Sequence, residues 1–372
     1  MIIVKEVTNK KGLKTFVKFP FSLYKDSEYW VPPIIKQELE TFNKDKNPIF
    51  NDAEARFFLA YNGNTVVGRI AAIVNWLEVN KQNIKKMRFG WFDFVDDLDV
   101  SKALLDTVEG IGKQKKLEYT EGPVGFSNMD KVGVLTEGFE SVSSMMTWYN
   151  YPYYANHLKH HGYEIEKEYS ESKFPFSNVK PEAFTKAQTL IKQRYKLKAL
   201  KFKKTEELLP FVDEMFDLFN ESYASLSSFV EITDLQKQYF KKKFIGFVNP
   251  EYIKFVMDEN NRLIGFAIVM PSFAKALQKT NGKLFPFGFI HLLKAKRTNK
   301  DAIFYLIGIH PEYQNKGVHA IIFNEYYHTF KEKGIETCYR TPELEDNEAI
   351  KKIWKHFNPV VYKRRKTFRK DL

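Results

Sequence analysis

An order of elements written twice is what most constrains the fold of this chain. Phe57–Tyr61 and Thr65–Val74 are apolar runs flanking Asn62-Gly-Asn64, and Tyr252–Met257 and Leu263–Met270 flank Asp258-Glu-Asn-Asn-Arg262 in the same way. Both are hairpin signals. Each hairpin is followed by a variable stretch and another strand pattern (Arg88–Val95; Ala302–Ile309). A helical pattern comes next (Val100–Lys116; Val318–Lys333), then a further strand (Leu117–Val124; Ile335–Thr341), a helix and a last strand. Helical segments precede the hairpin in both halves. The repetition lies in strand and helix order, not in residue identity. It predicts an α/β fold of mixed sheets in two tandem domains, and 372 residues are too many for one ordinary core. The spacing places a first domain over 1–172, a linker with a short helix opened by Pro181 over 173–197, and a second domain over 198–372.

Charge separates the halves. Residues 1–175 hold 23 Lys and Arg against 24 Asp and Glu, whereas the rest hold 35 against 22. A basic second half suits a polyphosphate cofactor, a nucleic acid or an anionic surface, and a solvated exterior explains it equally. Cys338 is the only cysteine, so no internal disulfide forms, and its apolar run Ile335–Tyr339 marks it as a packed strand thiol. The start, Met1-Ile-Ile-Val-Lys-Glu, lacks a signal-peptide layout, and no apolar run approaches the roughly 20 residues that span a bilayer. Together these predict a cytoplasmic protein.

The segment with the strongest chemical content is Asp301–Phe323. An apolar strand ends at Ile309, His310-Pro311 turns the chain, and Gln314-Asn-Lys-Gly317 leads into a helix at Val318. Strand, glycine-containing loop and helix N-terminus in series make an anion cradle, because unpaired amides and the helix dipole converge on the loop. The pattern Gln314-x-x-Gly317-x-x-Ala320 resembles the pyrophosphate-binding loop of the GCN5-related N-acetyltransferase family. That resemblance implies acetyl-coenzyme A or a longer acyl-coenzyme A held by Gln314, Asn315, Lys316, Gly317, Val318 and His319. His319 stands where the family has a small residue, and its bulk would crowd the diphosphate. The resemblance further implies a strand amide near Gly308 and Ile309, Ile309 above all, that polarises the thioester carbonyl.

Asp346–Phe357 and the basic strand after it are similar to the family's closing helix and strand. Asn347 falls on the family's Asn, an N-cap that can also face the cofactor. Trp354 falls on the tyrosine that protonates the leaving thiolate, and an indole cannot release a proton at this pH. The plainer account of Trp354 is a helix residue packed on the sheet. For a general base the candidates are Tyr305, which by strand alternation would share a face with Ile303, Ile307 and Ile309, and Glu231, between the helices that border the acceptor site. A packed aromatic is the better account of Tyr305.

In the first half the equivalent strand leads into Asp96-Asp-Leu-Asp99, with no Gln/Arg-x-x-Gly. Carboxylates there would repel a diphosphate, so this half should not bind coenzyme A and should shape the fold or the acceptor. Helix-start carboxylates are commoner than a metal site, and none is predicted. Leu284-Phe-Pro-Phe-Gly-Phe-Ile-His-Leu-Leu293 is an apolar insertion followed by Lys294-Ala-Lys-Arg297. Core packing across the domains is its plainest explanation, beside a membrane surface or an acyl channel. The chain as a whole resembles a bacterial group of tandem acetyltransferase-fold proteins with no assigned substrate. It implies transfer to a small-molecule or peptide amine entering between the domains. A non-catalytic acyl-coenzyme A binder and an aminoacyl-tRNA-dependent transferase remain open, although no RNA-binding motif supports the latter.

Overall fold

The computed structural model describes residues 1–226 and 229–372. In chain order the first part holds β1 (Ile2–Glu6), α1 (Lys10–Leu23), α2 (Ile35–Thr41), β2 (Ala53–Asn62), β3 (Thr65–Asn75) and α3 (Trp76–Lys81). There follow β4 (Lys86–Phe94), α4 (Leu98–Gln114), β5 (Tyr119–Gly122), β6 (Val134–Glu137), α5 (Tyr153–His160) and β7 (Glu164–Pro175). The second part holds α6 (Glu182–Tyr195), β8 (Lys198–Leu200), α7 (Thr205–Leu208), α8 (Val212–Tyr223), α9 (Asp234–Phe244), β9 (Ile253–Met257) and β10 (Leu263–Pro271). It continues with α10 (Ala274–Thr280), α11 (Gly288–Thr298), β11 (Asp301–Ile309), α12 (Val318–Lys333), β12 (Thr337–Arg340), β13 (Glu343–Leu344), α13 (Glu348–Trp354) and β14 (Val360–Asp371).

Two compact units emerge, and neither is a single run of sequence. The first comprises Met1–Ser170, Ala274–His291 and Tyr362–Leu372; the second comprises Glu171–Phe273 and Leu292–Val361. In the first the strands run in the order β1-β2-β3-β4-β5-β14. Neighbours are antiparallel except the parallel pair β4–β5. Helix α4 buries Val100, Leu104, Leu105, Val108 and Ile111, one amphipathic stripe, in a core with Phe89, Phe94 and Phe368. Helix α1 covers a second cluster through Phe16 and Val17, packed with Phe42, Phe57 and Trp91.

The second unit repeats the plan with the order β7-β12-β11-β10-β9-β8, the parallel pair now being β11–β12. Helix α12 packs Val318, Ile321, Ile322 and Phe323 into its core. Helix α6 adds Phe184, with Ile191 and Tyr195 at the edge. The stretch read as a linker, 173–197, therefore lies inside this unit: Lys173–Pro175 pair with Thr337–Tyr339, and α6 packs in the core. The closing strands are exchanged in sequence. The end of β14 pairs with β5, Phe368 opposite Gly122, so the chain's last strand belongs to the first unit and not to 198–372. Alternating patterns say that a segment is a strand, but its sheet is set by long-range pairing, which local pattern does not carry.

The apolar insertion also departs from expectation. Residues 274–291 count with the first unit, held there by Gln278 Nε2 donating to the carbonyls of Glu28 (2.7 Å) and Trp30 (3.0 Å) and by the Ile35 amide donating to Gly282 (3.0 Å). Its aromatic tip is not core: Phe285 and Phe287 are exposed. No helix among the described residues is long and apolar enough to cross a membrane.

Candidate functional site

Strand β11 pairs with β12 only over Asp301–Phe304, opposite Thr337–Arg340. Beyond that point the two strands part. The break coincides with a bulge: Val269 faces Phe304 and Ile268 faces Leu306, leaving Tyr305 as the extra residue. A bulge inserts one residue and reverses the alternation beyond it. Ala302 and Phe304 consequently share the α12 face with Ile307 and Ile309, and the expectation that Tyr305 lines up with Ile303, Ile307 and Ile309 fails. Both Phe304 and Tyr305 turn their carbonyls toward Thr341, whose hydroxyl donates to them at 3.2 and 3.3 Å.

Past the bulge, the sides of the strand can be read from its hydrogen bonds. The His310 amide donates to the Ile264 carbonyl (2.9 Å), so two-residue alternation directs Gly308 toward β10 as well. The Ile307 carbonyl accepts from the Tyr223 hydroxyl (3.1 Å) and the Ile309 carbonyl from Gln314 Nε2 (3.2 Å). Ile307 and Ile309 thus present their amides on the open edge where β12 has left. Gly308 faces the ladder instead, and it is required there: a Cβ would lie 2.3 Å from Phe266 and 2.6 Å from Ser222 Oγ.

The loop that follows is folded tightly. The amides of Gln314 and Lys316 close turns onto His310 (3.1 Å) and Tyr313 (3.3 Å), so neither is free for a ligand. Asn315 (φ 59°) and Gly317 (φ 79°) adopt left-handed conformations. Gly317 is the N-cap of α12 and offers no side chain to its first turn. Among the described residues the amides of Asn315, Gly317, Val318 and His319 meet no acceptor. Those of Gly317, Val318 and His319 are the orphan donors of a helix N-terminus and carry its partial positive charge, and that of Asn315 lies in the loop before it. Lys316 folds back, with Nζ 5.0 Å from the Tyr313 ring centre and 5.4 Å from that of Tyr195. The His319 ring runs along the helix beside Phe323 (6.3 Å), and burial together with His356 holds its pKa below the ordinary value.

The remaining sequence candidates divide. Asn347 caps α13, its side-chain oxygen accepting from the Ile350 amide at 3.2 Å. Trp354 is 1 % exposed among Phe304, Phe323 and Phe357, and its indole N–H meets no partner among the described residues, so it belongs to the core. The Arg340 guanidinium stacks 4.7 Å from its centre, and burial pushes that group down to about 9. Cys338 is buried, which pushes its thiol up, as suits a packed strand residue. Glu231 is exposed on the loop before α9, which Asn220 pins by bonding both polar groups of Ile232.

Two residues escaped the sequence reading. His310 Nδ1 accepts from the Glu312 amide (3.2 Å), which assigns the ring proton to Nε2, and Nε2 donates to Glu221 Oε2 (3.1 Å). Glu221 and Tyr223 both come from the end of α8. Burial pushes the Tyr223 hydroxyl up to about 12. Helix α8 carries no motif, and only tertiary packing brings its last turn to β11.

The first unit shows the same plan with the opening filled. Strand β4 pairs with β5 over Lys86–Arg88 and bulges near Trp91, which has φ 44°. There the partner chain does not leave. The Val124 amide donates to Phe89 (2.8 Å), and Cβ atoms on Gly90 or Gly122 would strike the Val124 or Phe89 carbonyl at 2.3 or 2.4 Å. The helix start is occupied too, since Asp97 caps α4 by accepting from Asp99 (2.9 Å) and Asp96 meets His157 (2.9 Å).

No protein-family profile matches the chain. It is 24% identical to Protein YghO of Escherichia coli (strain K12) over 381 residues, covering 100% of this chain and 95% of that one. It is 22% identical to a protein of Caulobacter vibrioides (strain NA1000 / CB15N) named bacterial ceramide synthase, covering 97% and 95%. Among solved structures, a tandem GNAT protein from the clavulanic acid biosynthesis pathway superposes with a TM-score of 0.58 at 10% identity, over 100% of this chain and 98% of that one. A GCN5-related N-acetyltransferase from Sphaerobacter thermophilus gives 0.51 at 8% identity, over 100% and 95%. Identities this low speak for architecture alone, and the doubled hairpin–bulge–helix plan agrees with it: the chain has the tandem GCN5-related N-acetyltransferase fold.

Proposed function

We propose that the protein is an acyl-coenzyme A-dependent acyltransferase that forms an amide on an amine acceptor, with its one cofactor site in the second unit. The observation that carries this reading is the uncapped N-terminus of α12 standing directly after the stretch of β11 whose β12-side edge is open. Free amides at a helix start suit a diphosphate, and amides on an open strand edge suit a polarised carbonyl. The first unit fills both places with its own backbone and carboxylates.

Acyl-coenzyme A would supply an activated thioester carbonyl. Asn315, Gly317, Val318 and His319 would hold its diphosphate through their amides, and the Ile307 and Ile309 amides would donate to the carbonyl oxygen as charge develops there. An amine must lose a proton as the C–N bond forms and the C–S bond breaks. Glu221, held by the His310 Nε2–H, is the base we assign, in place of Glu231 and Tyr305. Tyr223 brings to the same edge a phenol that can return a proton to the departing thiolate, a task Trp354 cannot perform. A ceramide is the amide of a long-chain amino alcohol, so the name of the Caulobacter relative denotes the same bond.

Calorimetric titration with coenzyme A, acetyl-coenzyme A and palmitoyl-coenzyme A tests the site. Thiol release in the presence of amino acids, polyamines and long-chain amino alcohols tests the reaction. We expect micromolar binding, about −8 kcal/mol, and amine-dependent turnover. Binding without turnover by any amine would leave a non-catalytic binder, and no binding would remove the proposal.

A further inference from the structure

The insertion between β10 and β11 is built to be exposed. Phe285 and Phe287 are 75% and 72% exposed, and Phe289, Ile290 and Leu293 are 38%, 50% and 50% exposed. Every other Phe among the described residues is buried or half-buried, in a chain that has 34. These five side chains fall within nine residues, forming one apolar patch that a chain with this much core capacity has left in solvent.

The patch is also held firmly. The Phe289 amide donates to Leu284 (2.8 Å), the Ile290 amide to Phe287 (3.1 Å) and the Lys283 amide to Thr280 (3.0 Å). Gly288 makes the turn possible, because a Cβ there would sit 2.0 Å from the Lys283 carbonyl oxygen. Within α11 only Leu292 is buried, while Phe289, Ile290 and Leu293 occupy adjoining positions on the outward side.

Charge identifies the occupant. No carboxylate occurs between Glu259 and Asp301, whereas Arg262, Lys275, Lys279, Lys283, Lys294, Lys296, Arg297 and Lys300 all do. Lys296 donates to the Gly246 carbonyl (3.0 Å) and Lys300 meets Glu336. Among the described residues Lys283, Lys294 and Arg297 form no ion pair. Lys294 and Arg297 continue the stripe of Ile290 and Leu293 by one turn, so apolar side chains give way to cations along a single face. An apolar tip bordered by unpaired cations, on a stretch of chain that carries no carboxylate, is complementary to the acyl boundary and headgroups of an anionic bilayer.

We infer that Leu284–Thr298 is a peripheral docking element that seats the protein on an anionic lipid surface, the Phe285–Leu293 patch entering the interface and Lys283, Lys294 and Arg297 meeting phosphates. The inference stands apart from the acyl-transfer reading, and vesicle binding is measured without acyl-coenzyme A or amine.

The test is co-sedimentation of the full chain with phosphatidylcholine vesicles, with and without phosphatidylglycerol, at low and high salt. We expect pelleting with the anionic vesicles that weakens with salt. Phe285→Ser/Phe287→Ser should lower partitioning by about tenfold or more, with an unchanged melting temperature because both rings are exposed. Lys294→Glu/Arg297→Glu should remove the preference for anionic lipid. Failure of the wild-type chain to pellet overturns the proposal, as does equal pelleting by the Phe variant. Salt-independent binding to neutral vesicles overturns the choice of an anionic surface. A wild-type dimer that the Phe variant dissolves, without vesicle binding, would instead assign the patch to contact between copies.

Discussion

Replacing Gly317 by alanine tests the geometry of the candidate cofactor loop. Gly317 has φ 79°, a conformation that costs a residue with a Cβ about 1–2 kcal/mol. The added methyl would lie 2.6 Å from Ile191 Cδ1, the far end of a side chain that can turn. Driving Ile191 off its rotamer costs about 0.5–1.5 kcal/mol more. The loss should be about 2 kcal/mol, or about 4–8 °C in Tm for a body of about 150–250 residues. Escape toward φ < 0 would rotate the amides of Gly317 and Val318 away from their shared direction. One lost hydrogen bond to a charged group is about 1.5–3 kcal/mol, so coenzyme A binding should weaken about 10- to 150-fold. Thermal melting and calorimetric titration of the same preparation separate the effects. A Gly317→Ala protein that melts and binds coenzyme A like the parent would refute both the strain argument and the assignment of the loop.

Glu221→Gln preserves shape and the bond to His310 but removes the base. Turnover should fall by about 10²–10⁴-fold with acyl-coenzyme A affinity unchanged, and undiminished steady-state rates would eliminate Glu221. A buried ion network should control the acid stability of the first unit. Glu78 meets Lys86 (3.0 Å) and Arg88 (2.6 Å), and Lys86 also meets Glu121 (3.0 Å). Burial alone would raise both carboxyls, but the cations reverse it and hold each below the ordinary 4.5. Because the folded values are depressed, this stabilisation is complete above 4.5 and drains away as pH falls through the lowered values. Glu78→Gln should cost about 3–5 kcal/mol at neutral pH by leaving two buried cations short of a partner. Denaturant midpoints at neutral and acid pH report both effects, and a midpoint indifferent to acid and to the substitution would contradict them.

The doubled plan was legible in local pattern. Hairpin turns at Asn62-Gly63-Asn64 and Asp258–Arg262 and the apolar stripe of α4 are local signals, fixed by backbone preference and by periods of 2 and 3.6. The anion-cradle loop was legible for the same reason, since strand, Gly317 and helix start are contiguous. Tertiary structure decided what local pattern does not encode. Tyr305 became a bulge because β10 and β11 differ by one residue in register, and this reset the face of every side chain after it. Glu221 and Tyr223 reached the open edge of β11 because α8 packs there, although they precede Ile307 by more than eighty positions. The last strand joined the first unit and Lys173–Pro175 joined the second, because hydrogen bonds between strands are indifferent to sequence distance. Phe285 and Phe287 read as core in one dimension and stand in solvent in three, since hydrophobicity says what a side chain prefers and only the packed fold says whether a place remains for it.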